Sequence, residues 1–158
     1  MTKLFLSLHV LAAIVAVGPV TVAASMFPAM LRRALGDSGD GDAWTTLRTL
    51  HRICRVYAGV GIAVPVLGLA TASSLGVLGE VWLITSILLT GAAAGVLALL
   101  ILPAQDRALA APAGSASPLP APTPWTPGRL AMVTGIFNLL WATVTVLMII
   151  RPGSTTGV

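Results

Sequence analysis

Two histidines, one cysteine, a lone asparagine and a methionine near the end of the last apolar run are the side chains here that could hold a ligand. His9 lies in Leu8-His9-Val10-Leu11-Ala12-Ala13-Ile14, with no other polar group beside it. An ionisable group in hydrocarbon is costly, so it implies either a hydrogen-bond partner or a bound ligand. Imidazole is a common ligand of haem iron and of metals. His51 opens the run His51-Arg52-Ile53-Cys54-Arg55, which sets Cys54 three residues away on the same helical side. Two ligands without a third fall short of a metal site. The bases around His51 read instead as an interfacial cluster of Arg and His that touches lipid phosphates. Asn138 needs a partner for its amide, and a helix–helix hydrogen bond is its expected role.

These residues must be positioned by four apolar runs, Leu4–Met30, Ile53–Ala72, Val81–Leu102 and Leu130–Ile150. A bilayer core of about 30 Å takes roughly 20 residues of helix. In hydrocarbon every backbone N–H and C=O has to bond internally, so runs of this kind are read as spanning helices. The fold class is therefore all-α: a polytopic membrane protein with four transmembrane helices in an antiparallel bundle. Residues 1–158 form a single domain, with helices expected over about 4–31, 50–72, 81–103 and 129–150. Small residues at Val22-Ala23-Ala24 imitate a signal-peptide cleavage site, but the apolar run continues past them to Met30, so a retained first span is expected.

Composition fits: 56% of residues are hydrophobic and 9% charged, leaving little for a soluble domain. The pI near 10.7 comes from nine Lys and Arg against five acids. No basic patch interleaved with aromatics is present, so no nucleic-acid partner is expected; the bases suit anionic head groups and topology. Arg32, Arg33, Arg48, Arg52, Arg55, Arg107 and Arg129 flank the first and third connections, and only Lys3 and Arg151 flank the opposite side. This places both termini outside (periplasmic or extracellular) in a multi-pass protein of the cell membrane. With one cysteine, no intrachain disulfide can form.

Asp37–Asp42 alternates Asp and Gly like a calcium loop but lacks the downstream bidentate Glu, and reads as a solvated loop. Residues 111–127 carry six prolines and are expected to form an extended cytoplasmic linker. Within the spans, small residues recur at helical spacing. His9, Ala12, Ala13, Ala16, Val20 and Ala23 mark one face of the first helix, and Gly61 and Gly68 one face of the second. Gly91 and Gly95 do so on the third, and Thr134, Gly135, Asn138, Ala142 and Thr145 on the fourth. Of these, Gly61, Gly68, Gly91, Gly95 and Asn138 are the expected helix-packing positions. Glu80 and Trp82 read as interfacial anchors.

By this topology His9 and His51 lie near opposite faces, about 25–30 Å apart, and cannot hold one iron together. Antiparallel counting brings Met148, Thr145, Thr71, Thr85 and Ser86 near the depth of His9. Met148 alone among them could complete a His/Met haem pair, so His9 and Met148 are the candidate cofactor-binding residues, with haem the cofactor they suit.

Over its length the chain resembles the DUF2269 family of small predicted integral membrane proteins. The resemblance rests on Leu8–Ile14, on Gly18, and on Leu102-Pro103-Ala104-Gln105-Asp106-Arg107 at the exit of the third helix. It implies a four-helix protein of a bacterial inner membrane, and no activity. The His-Val-Leu-Ala-Ala opening is also similar to four-helix domains of copper-resistance permeases and of protoporphyrinogen-oxidase-like haem proteins. That similarity implies a haem role for His9 alone, because Val17-Gly18-Pro19 stands where those proteins carry an aromatic-rich segment. No protease, P-loop, HExxH or paired intramembrane carboxylate pattern is present. A non-enzymatic accessory or interaction subunit, in a membrane-protein complex or a homo-oligomer, is the expected function. The alternatives are a small haem or metal redox protein using His9, and a carrier with a polar path along Thr134, Asn138 and Thr145.

Overall fold

A computed structural model describes residues 2–36, 41–110 and 125–153. It contains four helices long and apolar enough to cross a membrane, Lys3–Gly36, Gly41–Leu75, Val81–Ala110 and Pro127–Ile150. The fold is all-α, as the apolar runs dictate. By element, α1 is Thr2–Gly36, α2 Gly41–Val60, α3 Ala63–Leu75, α4 Val81–Gly95, α5 Leu102–Ala110 and α6 Pro127–Ile150. Residues 37–40 and most of the proline-rich linker (111–124) lie outside the described residues.

Two prolines shape the second and third spans. Pro65 has no N–H, and its ring would press on the carbonyl four residues back, at Gly61. The helix breaks there: Ile62 N–H turns to the Gly59 carbonyl and Val64 N–H to Gly61. Thus Gly61 marks a bend, and the atoms nearest a Cβ on it would be the carbonyls of Ala58 and Tyr57 in its own segment. In the third span Pro103 threatens the Leu99 carbonyl in the same way. Here the chain widens into a π-helical turn over Val96–Ile101, with Leu102 N–H reaching back to Leu97, and the helix then continues as α5. Pro19 and Pro28 sit inside α1, which runs on through both.

α1 lies at the centre, against α2, α3 and α6; α4 packs on α6, and α5 returns to α2. The largest core cluster includes Phe27 and Leu31 of α1, Leu47 and Cys54 of α2, Ile101 of the π turn and Phe137 of α6. All four spans exceed the expected lengths, the second and third by the most. α2 starts at Gly41, nine residues before the expected position 50, because Ala43, Leu47, Leu50 and Cys54 form a buried stripe. The third span runs to Ala110, past 103. α6 begins at Pro127, where the Thr126 hydroxyl accepts the Arg129 backbone N–H at 3.2 Å and Pro takes the first helical position.

Candidate functional site

Two buried imidazoles organise the polar interior, one toward each end of the bundle. His9 is 9% exposed. Its Nδ1 lies 2.9 Å from the Val64 carbonyl oxygen, which can only accept, so Nδ1 is the donor. The close approach is possible because residue 68 is glycine: a Cβ there would stand 2.9 Å from His9 Cε1 and 3.2 Å from Nδ1. Gly68 therefore faces the His9 side chain of α1.

None of the hydroxyls at the depth of His9 is its partner. Thr71, Thr85, Ser86 and Thr145 each donate to the carbonyl four residues back in their own helix. That is the ordinary outcome for Ser and Thr in hydrocarbon, where no water competes for the carbonyl. Met148 is not joined to His9 by any described contact. Its carbonyl accepts from Arg151 Nε at 3.3 Å. As a haem site the arrangement is half fitted: an imidazole held through Nδ1, seated on α3, without an assembled second ligand. Haem bound there would supply one-electron chemistry; the chain's own part would be to hold and orient the imidazole through Val64.

His51 departs from expectation. Rather than meeting lipid phosphates beside the arginines, it is 8% exposed and faces α5. Its Nδ1 lies 3.0 Å from Gln105 Oε1, and its Nε2 lies 2.9 Å from Asp106 Oδ1, close enough for an ion pair though not aligned as a hydrogen bond. Gln105 is fully buried and its amide donates to Cys54 Sγ at 3.7 Å. Both ring nitrogens thus face side-chain oxygens of α5. The physical reason is the widened turn ahead of Pro103, which sets the phase of α5. His51 and Cys54 form no group of three metal ligands with other described His, Cys, Asp or Glu residues. Gln105 and Asp106 were quoted in the sequence only for their family resemblance. The signal available was a glutamine directly after an apolar run.

The remaining predicted positions lie apart. Asn138 Nδ2 donates to Ser25 Oγ at 3.0 Å, tying α6 to α1. Thr134 Oγ1 is buried without a partner among the described residues. Thr134, Asn138 and Thr145 do not line the cavity of about 170 Å³ where the spans meet; Tyr57, Gly61, Pro65, Thr90, Phe137 and Trp141 are among its walls. Gly91 and Gly95 have open space where a Cβ would stand. The large side chains Leu83 and Leu97 and the small Ser86 and Ala93 take the inner face instead. Trp82 is buried at 7% exposure, with the Arg151 guanidinium 5.5 Å over its ring, and so is an internal clamp rather than a lipid-facing anchor. Arg151 itself adopts φ 46, a left-handed conformation unusual for a residue with a Cβ, where its N–H caps α6 on Leu147.

Comparison with protein families, with curated proteins and with solved structures gives no match.

Proposed function

We propose that this protein is a non-enzymatic membrane subunit that works by association, either within a larger membrane complex or with copies of itself. Its membrane is the cell membrane, with both termini outside and the arginine-rich end in the cytoplasm. The observation that carries the reading is the use made of the buried imidazoles. Each is bound to another part of the bundle, Val64 for His9 and Gln105 with Asp106 for His51. Meanwhile the α4 face at Gly91 and Gly95 is left open, with room for another backbone to come close. The orientation rests on the positive-inside bias. Kinship with the DUF2269 family, and with it a bacterial inner membrane, belongs to the same proposal and rests on the residues quoted above. The test is mild crosslinking in native membranes followed by purification in gentle detergent. A reproducible partner or a homo-oligomer is expected; a monodisperse monomer without partners would sink the proposal.

One observation favours a second reading, a cofactor protein. A ligating histidine commonly donates its other ring N–H to a carbonyl, as His9 does to Val64. A Soret band in the purified protein, lost in His9→Phe, would establish it. A colourless preparation after supplementation with haemin removes it.

A further inference from the structure

On α2 the exposed arginines Arg48, Arg52 and Arg55 follow one another at spacings of four and three, which sets them on one face. The buried residues of the helix are Ala43, Leu47, Leu50 and Cys54, with His51 at the border between them and the arginines. No described carboxylate is paired with any of the three, and Asp106 is turned to His51. Their depth follows from counting. About 20 residues of helix back from Leu75 reach Val56, so Arg55 stands at the hydrocarbon edge. Arg52 is then about 4.5 Å and Arg48 about 10 Å farther out, at 1.5 Å per residue. That interval covers the polar head-group layer, about 5–8 Å on each side of the core. Below Arg55 comes Gly59 on α2 and, past the break at Gly61, Ile62, Val66 and Leu69, all exposed, and Gly59 has open space where a Cβ would stand.

We propose that this face is a binding site for an anionic phospholipid. The phosphate lies between the guanidinium groups of Arg52 and Arg55, and one acyl chain runs down past Gly59 toward Ile62 and Val66. Charge complementarity selects the occupant: Arg52 and Arg55, without a carboxylate partner among the described residues, match at phosphate depth a phosphodiester, which Arg binds with two parallel hydrogen bonds. The apolar continuation selects a lipid over a free anion. Arg48 stands above the phosphate and attracts net negative charge on the head group, which separates phosphatidylglycerol from zwitterionic phosphatidylcholine. The site is independent of the proposed association and of which leaflet the basic end faces.

The test is native mass spectrometry of the full chain in detergent, titrated with phosphatidylglycerol or phosphatidylcholine. The wild type should favour phosphatidylglycerol on the order of tenfold. The R52Q/R55Q variant should bind both lipids equally, whereas R32Q/R107Q should keep the preference. Should R52Q/R55Q not fold, R52K/R55K retains the charges and should keep only part of the preference, since an ammonium lacks the two-pronged geometry. Millimolar inorganic phosphate should not displace the lipid; displacement would mark a free-anion site and overturn the lipid assignment. Equal binding of the two lipids by the wild type, or undiminished selectivity in R52Q/R55Q, would overturn the proposal.

Discussion

The Nδ1 of His9 and the carbonyl of Val64, 55 positions apart in sequence and 2.9 Å apart in space, lock the first helix to the segment just after the break in the second. The contact needs an imidazole on one side and a bare glycine on the other. Gly68→Ala should therefore push the His9 ring off Val64 and destabilise the protein by about 1–3 kcal/mol, as overpacking of a core generally does. His9→Ser in the same background should recover part of that loss, because the clash disappears. The check is thermal unfolding in detergent for both singles and the double. Simple additivity would show that the two positions do not meet.

Gln105 joins His51 on one side to Cys54 on the other, at zero exposure. Replacing it with Leu leaves a buried ring nitrogen without its partner, for an expected loss of about 1–3 kcal/mol. Asp106→Asn should cost less, since that carboxylate is 54% exposed. Chemical or thermal unfolding of the two variants side by side gives the order. An Asp106 effect larger than that of Gln105 would contradict the arrangement.

The spans themselves were legible in the sequence, because length and apolarity suffice for a helix in hydrocarbon. The contacts were less so. The sequence turns His9 toward the bundle and asks for a hydroxyl, a carbonyl or a ligand as its partner; it does not say which, and the Val64 carbonyl holds it. Backbone acceptors carry no sequence signal, and what exposes Val64 to the ring is the absence of a side chain at 68. The His51–Gln105 pair depends on the phase of α5, which a π turn alters by one residue, and no periodicity carries that shift. The α2 extension, by contrast, was readable from Ala43, Leu47, Leu50 and Cys54, but polar residues between them masked the stripe.

Leu at positions 91 and 95 meets no atom of this chain within 4 Å of the added Cβ. G91L/G95L should therefore leave the unfolding temperature of the isolated chain unchanged while shifting the size of any assembly in which this face takes part. Size-exclusion chromatography with light scattering reads both species. Unchanged assembly would clear the α4 face and send the search for the interface elsewhere.

Orientation is open to a direct measurement. In a Cys54→Ala background, single cysteines at positions 38, 117 and 154 can be challenged with an impermeant maleimide on intact cells. Ser154→Cys should label, and Ser38→Cys and Ser117→Cys should label only after the membrane is opened. The reverse pattern would invert the protein in its membrane.

The π turn over Val96–Ile101 gives the third span the character of a gear with one extra tooth. A helix advances about 100° per residue, so removing a single residue from that turn would swing Gln105 and Asp106 about that far around the axis, away from His51. Composition, hydropathy and span length would scarcely change, and the outer half of the bundle would keep its contacts. Such a one-residue deletion would separate the arginine-rich end from the rest of the protein as cleanly as a cut, while every sequence-level measure of a membrane helix still reported it intact.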